Sequence, residues 1–227
     1  MAQPRTVEDV IDRLVDIDAA LPPGDGVAVF NRMYLTVTER VLSALEARDV
    51  FADPGFMAEL DVRFANLWLD AYDDARAGRP VCKAWRPLFE QRGARELLPI
   101  QFALSGMNAH IEHDLPLAVV ETCSLRGGSP DAVRHDYEVV NEILASVESE
   151  VRRSFLSELG RRVDDRFGSV VHLVSSWNID KARDLAWVSV ESIWAIRRLG
   201  FLVDRYTAAL AATVGMVSRY LLTPVPR

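Results

Sequence analysis

The sequence predicts an all-α protein, folded as a single irregular multi-helix bundle of about seven to nine helices. Apolar residues recur three and four positions apart in most segments, as at Val7, Val10 and Leu14, which is the spacing of one helix face. Capping residues and glycines separate these segments. The strict alternation typical of a strand is almost absent, and the only candidate, residues 26–30, is short.

The predicted helices follow one another with short breaks. The first begins after Thr6, which forms a capping pattern with Asp9, and it ends before a break at 21–26. In the fifth helix, Pro99 fits the first turn and Pro116 predicts a kink. The later helices are expected at about 27–48, 54–77, 82–91, 95–123, 131–159, 162–174, 176–198 and 201–222.

The 227 residues are expected to form one helical domain, 1–227, with an N-terminal helix and loop at 1–25 and a core at 26–222. The 26 Lys and Arg residues against 33 Asp and Glu residues give a net charge of −7, which argues against a nucleic-acid partner. The chain opens without a signal segment and has no apolar window of about 18 uncharged residues. We therefore expect a cytoplasmic protein without stable membrane insertion, and its oligomeric state stays open.

The chain has two cysteines, too few for a disulfide framework. Neither Cys82 nor Cys123 has a Cys or His neighbour at metal-binding spacing. We expect both to be inert thiols in a reducing compartment.

Two carboxylates fall on helix faces that are otherwise apolar. Asp61 lies in the stripe that contains Leu60 and Phe64, and Asp136 shares a side with Val140. Burial of an unpaired carboxylate costs several kcal/mol, so each must be paired, hydrogen-bonded or metal-bound. Each Asp therefore either pairs with a buried arginine or belongs to a functional site.

The densest group of candidate site residues lies in the segment 106–116, Gly-Met-Asn-Ala-His-Ile-Glu-His-Asp-Leu-Pro. His110 lies three residues before His113 and four before Asp114, so the three side chains can share one helix face. They could ligate zinc or iron, with Asp61 or Asp136 completing the shell and the metal acidifying a bound water. A metal-free acid/base pair and a purely structural His–Asp pair are the alternatives.

Three residues outside this segment are predicted to contact a substrate: Tyr34, Arg183 and Trp187. Arg183 lies one turn before Trp187 on an otherwise apolar face, so it holds either a substrate anion or a buried Asp. The tryptophan either lines an apolar pocket or belongs to the core.

The segment 106–116 resembles the Gly-Met-Asn-Ala-His-Ile-x-x-Asp-Leu-Pro core of a bacterial family of unknown function. Segments 30–38, 64–66, 136–144 and 183–187 also fit that family, so the resemblance covers about residues 25–200. It implies that His110 and Asp114 form the central pair of a shared site, because the position of His113 is freer. It implies no particular activity.

Together these features predict a metal-dependent or acid/base enzyme, a hydrolase or a cyclase/lyase, acting on a small and partly apolar metabolite. The predicted catalytic residues are His110, Asp114 and Asp136. The predicted metal ligands, for zinc or iron, are His110, His113, Asp114 and Asp61. The alternative is a non-catalytic ligand-binding or interaction protein in which the same residues form a buried polar network.

Overall fold

The computed structural model describes residues 3–47, 49–144 and 178–224, and these residues confirm the all-α multi-helix prediction. The described part of the chain contains no strand, and the candidate strand at 26–30 forms the first turns of a helix. The helices are α1 (Val7–Ala20), α2 (Gly26–Glu46), α3 (Pro54–Arg76), α4 (Arg86–Gln91), α5 (Pro99–Ala109), a π-helical turn (His110–Asp114), α6 (Leu115–Arg126), α7 (130–144), α8 (Ile179–Ile196) and α9 (Gly200–Leu221). The predicted helix at 162–174 and the second part of the one at 131–159 lie outside the described residues.

Side-chain caps fix the starts of the first three helices. The predicted capping box is present on α1, where Thr6 accepts from the Asp9 N–H and the Asp9 carboxylate accepts from the Thr6 N–H. Asp25 caps α2, and Asp53 caps α3 ahead of a proline at its first position. These local signals explain why the sequence places the helix starts correctly.

The helices enclose two hydrophobic clusters. The first lies between α1, α2, α3, α5 and α9 and includes Phe30, Trp68 and Trp85, each almost fully buried. The second lies between α3, α6, α7 and α8 and includes Tyr137 and Trp187. Helix α3 and the continuous run from α5 through the π turn to α6 contribute to both clusters. The π turn therefore lies where the two clusters meet.

The run from Pro99 to Arg126 is one continuous helix interrupted by the π turn. In that turn the Leu115 N–H donates to the His110 carbonyl, five residues earlier. Pro116 follows at once; it has no N–H to donate, and its ring crowds the carbonyl four residues before it, so the regular α-helical ladder is broken there. Where the sequence predicts a kink at Pro116, the structure has this wider turn.

Gly106 and Asn108 determine how closely the neighbouring helices pack against this run. A Cβ added to Gly106 would lie 2.2 Å from the Phe30 ring, so the glycine allows α2 to pack against α5. Asn108 donates to the Val214 carbonyl at 3.1 Å and to the Ser218 hydroxyl at 2.9 Å, which joins α5 to α9.

Of the helices that the structure describes, none is both long and apolar enough to span a bilayer.

Candidate functional site

The π turn brings three ionisable side chains of the segment 106–116 into one buried cluster. Asp114 is 1% exposed and accepts hydrogen bonds on both carboxylate oxygens. His110 Nδ1 lies 3.1 Å from Oδ2, and His113 Nδ1 lies 2.7 Å from Oδ1. The indole N–H of Trp85 also donates to Oδ2, at 2.9 Å. Both imidazole rings are therefore oriented by the same carboxylate.

These contacts decide the charge of Asp114. Burial by itself would raise the pKa of this carboxyl, but the hydrogen bonds from His110 and His113 outweigh burial and hold the pKa below its ordinary value. The group is therefore an anion at neutral pH. An anionic carboxylate only accepts hydrogen bonds, so each histidine donates the N–H of its Nδ1 to it.

His110 is held on its ring faces as well. The Phe64 ring stacks on it with centroids 3.5 Å apart and planes 8° apart, and the Tyr34 ring meets it edge-on at 4.4 Å. Burial lowers the pKa of His110 below its ordinary 6.5, although Asp114 opposes the shift. The ring is thus neutral at pH 7, with its proton on Nδ1 and a lone pair on Nε2.

A cavity of about 80 Å³ lies against this histidine. Its wall is mainly apolar and comes from α2, α3, the α5–π turn–α6 run, α7 and α8. The lining residues are Phe30, Met33, Tyr34, Val37, Val41, Met57, Leu60, Asp61, Phe64, Met107, His110, Ile111, Leu115, Tyr137, Val140, Leu144, Ile179 and Arg183. A volume of this size holds several waters or a small organic molecule.

Three polar groups on this wall are buried and have no hydrogen-bond partner: His110 Nε2, Asp61 Oδ2 and the Tyr34 hydroxyl. Burial raises the pKa of Asp61 to about 7, so its carboxyl is partly protonated near neutrality. Burial, together with the Asp61 charge, raises the pKa of Tyr34 well above its ordinary value, so its hydroxyl keeps its proton. Buried polar groups without partners are uncommon in folded proteins, and three around one cavity indicate a place for a polar ligand group.

The comparison with family models identifies the group to which the chain belongs, since one model matches residues 7–224, nearly the whole sequence. The chain belongs to DUF5995, a family of unknown function. The expected membership of a family of unknown function is confirmed, and the match extends beyond the predicted span of about 25–200. No curated protein and no solved structure gave a significant match.

The structure brings some of the predicted site residues together. Asp61 and His110 line the cavity, and Asp114 binds His110 directly. The predicted substrate contacts Tyr34 and Arg183 also lie on its wall. Arg183, however, donates to the Tyr137 carbonyl at 2.5 Å and to the Asn141 side chain, so its guanidinium joins α8 to α7.

Asp136 and Trp187 lie elsewhere. Both oxygens of Asp136 accept backbone N–H groups, from Ala52 and Asp53 at 2.8 Å each, so this carboxylate fixes the loop that leads into α3. It does not line the cavity. The Trp187 indole donates to Glu191 and its ring packs on Tyr137 in the second cluster, and it too is absent from the cavity wall.

The predicted zinc or iron shell is not assembled by the residues that the structure describes. No three His, Cys, Asp or Glu side chains among them are arranged to hold a metal ion. The reason is visible at the π turn, where Asp114 uses its oxygens on two imidazoles and an indole. Each histidine then has only its Nε2 to offer, and His113 turns that atom towards Cys82.

Cys82 is the candidate residue that the sequence prediction missed. The sequence predicts an inert thiol at this position because no Cys or His stands near it in the chain. In the structure its Sγ lies 3.7 Å from His113 Nε2, across 31 positions of sequence. No local pattern signals this contact, which depends on how the loop before α4 packs on the π turn.

Proposed function

We propose that this protein is a metal-independent acid/base enzyme that binds a small, mainly apolar molecule in the cavity, with His110 as the general base. The observation that carries the proposal is the state of the His110 ring. Its Nδ1 is fixed by Asp114, while its Nε2 is buried, has no partner and belongs to a residue of the cavity wall. A carboxylate-oriented, neutral imidazole with a free Nε2 is the arrangement of a general base.

Asp61 supplies the acid in this proposal. Its pKa of about 7 leaves a protonated fraction near neutrality, whereas His110 is neutral at the same pH. Two titratable groups whose surroundings set different protonation states form an acid/base pair. His110 Nε2 takes a proton from the substrate or from a water, and protonated Asp61 gives one to the leaving or accepting atom. Such a pair serves hydrolase or lyase chemistry without an oxidant.

The wall defines the class of substrate. Apolar side chains of α2 and α3, among them Met33, Val37 and Leu60, surround the body of the ligand. The Tyr34 hydroxyl and the Asp61 carboxyl satisfy one polar group of the ligand, such as a carbonyl or hydroxyl. We therefore infer a neutral small molecule with one polar end as the partner, and neither nucleic acid nor membrane insertion is part of the proposal. A cytoplasmic location fits the free thiols of the described Cys82 and Cys123.

The second candidate is a non-catalytic ligand-binding protein. The observation that favours it is the composition of the wall, which is mainly apolar, so that burial alone can hold a ligand. In that case the His110–Asp114 pair orders the helix junction and satisfies a polar group without moving a proton. Binding and turnover must therefore be measured separately.

Nuclear magnetic resonance separates the two candidates with a set of neutral ketones, alcohols and esters of about four or five carbons, chosen for a cavity of about 80 Å³. Chemical-shift changes in the protein report binding, and loss of substrate signals or deuterium uptake from heavy water reports turnover. We expect both with the unaltered protein, and we expect His110→Gln to lose turnover at least about a hundredfold while binding persists. The exposed His135 provides the matched control, His135→Gln, which should change neither.

Each outcome decides between the candidates. Binding without turnover in the unaltered protein supports the non-catalytic one, and absence of binding at the cavity residues overturns both. Dialysis against a chelator tests the metal-independent part. Activity that survives dialysis supports it, whereas activity lost and then restored by zinc or iron would restore the metal-dependent prediction.

A further inference from the structure

Cys82, His113 and Asp114 form a chain of contacts, and none of the three lines the cavity. Cys82 Sγ lies 3.7 Å from His113 Nε2, and His113 Nδ1 lies 2.7 Å from Asp114 Oδ1. Neither Cys82 nor His113 is part of the cavity wall. A thiol, an imidazole and a carboxylate in this order are the groups that activate a nucleophilic cysteine.

The loop that carries Cys82 is held against the π turn by contacts that do not involve the thiol. The Trp85 indole donates to Asp114 Oδ2, so the same carboxylate binds the loop and orients His113. On the far side, a Cβ added to Gly215 would lie 2.3 Å from the Lys83 carbonyl, so α9 packs closely on the loop only because that residue is glycine. The position of the thiol beside the imidazole is therefore fixed by the fold.

The electrostatics of the pair favour the reactive form of the thiol. Burial alone would raise the pKa of Cys82, but the hydrogen bond and the charge of His113, with a hydrogen bond from the Ala84 N–H, lower it below its ordinary 9.0. Burial likewise opposes the charged form of His113, yet Asp114 and Cys82 raise its pKa to about 10. The geometry, a thiol 3.7 Å from an imidazole that a carboxylate orients at 2.7 Å, suits transfer of the thiol proton to His113 Nε2.

Cys123 offers the opposite environment in the same chain. It is fully buried on α6, and burial raises its pKa to about 11. Cys82 keeps partial exposure to solvent. The two cysteines also belong to different parts of the fold, since Cys123 lies in the second hydrophobic cluster and Cys82 packs against the first. Cys82 therefore has no second thiol of this chain beside it for disulfide chemistry. The nucleophilic reaction that remains for it is acyl transfer.

We propose that Cys82 is a catalytic nucleophile for acyl transfer from esters or thioesters, with His113 as its acid/base and Asp114 as the positioning residue. The thiolate attacks the carbonyl carbon, the bond to the leaving alcohol or thiol breaks, and the His113 imidazolium gives its Nε2 proton to that leaving group. Neutral His113 then takes a proton from water, which attacks the S-acyl Cys82. The acid is released and the thiolate–imidazolium pair is restored, so the sum is ester plus water giving acid plus alcohol.

The first test is the rate of Cys82 alkylation by iodoacetamide, followed by intact-protein mass spectrometry in a Cys123→Ser background. An ordinary thiol is less than about 1% thiolate at pH 6, so we expect Cys82 to react at least about tenfold faster there than in the same protein carrying His113→Gln. Circular dichroism checks that the variant is folded. The Cys123→Ser protein alone is also decisive: a rate nearly constant between about pH 6 and 9 supports the proposal, and a tenfold rise per pH unit overturns it.

The second test is acyl-enzyme formation with p-nitrophenyl acetate. We expect a burst of one equivalent of p-nitrophenolate and an acetyl group mapped to Cys82 by peptide mass spectrometry. The burst should vanish in Cys82→Ala and persist in Cys123→Ser, the matched control. Acetylation that maps to lysines or to Cys123, or a burst unchanged in Cys82→Ala, would show that Cys82 is not a nucleophile.

Discussion

Replacing Asp61 with Asn tests whether the cavity holds a carboxyl group without a partner. The folded protein raises the pKa of Asp61 from an ordinary 3.8 to about 7 because the group is buried. Each pKa unit corresponds to about 1.4 kcal/mol, so the full effect on the free energy of unfolding is about 4 kcal/mol. The side chain keeps some contact with solvent, so this value is an upper limit.

The sign follows from proton binding. Between about pH 4 and 7 the folded protein keeps the Asp61 proton that the unfolded chain releases, so the stability of the unaltered protein falls as the pH rises through this range. Asn carries no titrating proton and lacks this loss. The stability of Asp61→Asn relative to the unaltered protein should therefore increase by about 1 to 3 kcal/mol between about pH 5 and 8.

Urea unfolding at a series of pH values measures the effect, because the midpoint and slope give the free energy of unfolding at each pH. Any constant difference between Asn and a protonated Asp cancels in the pH dependence. Asp70→Asn, an exposed position on the same helix, is the control and should follow the unaltered protein. If Asp61→Asn and the unaltered protein respond identically to pH, the carboxyl is not buried without a partner and Asp61 is not the proposed acid.

Three further substitutions test the framework of the site. Gly106→Ala places a Cβ 2.2 Å from the Phe30 ring and should cost about 1–3 kcal/mol in thermal or urea unfolding, while Gly93→Ala, where the added carbon meets nothing within 4 Å, should change little. Asp136→Asn should cost about 1–3 kcal/mol because two backbone N–H groups lose a charged acceptor, yet leave turnover of the folded protein unchanged; a loss of turnover without loss of stability would return this residue to the catalytic set. Asn108→Ala removes two hydrogen bonds to α9 and should lower stability by about 1–3 kcal/mol, and an unchanged melting temperature would contradict that linking role.

The parts of the structure that the sequence predicts correctly are those governed by neighbours in the chain. Thr6 with Asp9, and Asp53 with the following proline, mark helix starts because a cap involves residues two or three positions away. The contact between His110 and Asp114 is predictable for the same reason, since residues four apart meet on a helix. Pro116 signals a disturbed helix, but periodicity alone does not distinguish a kink from the π turn that forms.

Contacts with residues that are distant in the sequence cannot be predicted from the local pattern. The pattern places Asp61 and Asp136 equally on apolar faces, yet Asp61 has an unpartnered oxygen on the cavity wall and Asp136 binds two N–H groups of a loop over 80 positions away. Periodicity reports which face of a helix is buried and says nothing about what that face meets. Sharing a helix face also does not make three side chains converge on one point, and among the described residues no three His, Cys, Asp or Glu side chains are arranged to hold a metal ion.

The sequence by itself determines the helices of the described chain, the caps of α1 and α3 and the His110–Asp114 pair, because each is decided within one or two turns of helix. Only the tertiary structure decides that Phe64 and Tyr34 hold the His110 ring, that a cavity lies against it, and that Cys82 reaches His113. These features depend on the angles and distances at which helices pack, and on glycines such as Gly106 that allow close approach. The candidate chemistry of this protein thus arises where separate helices meet the π turn.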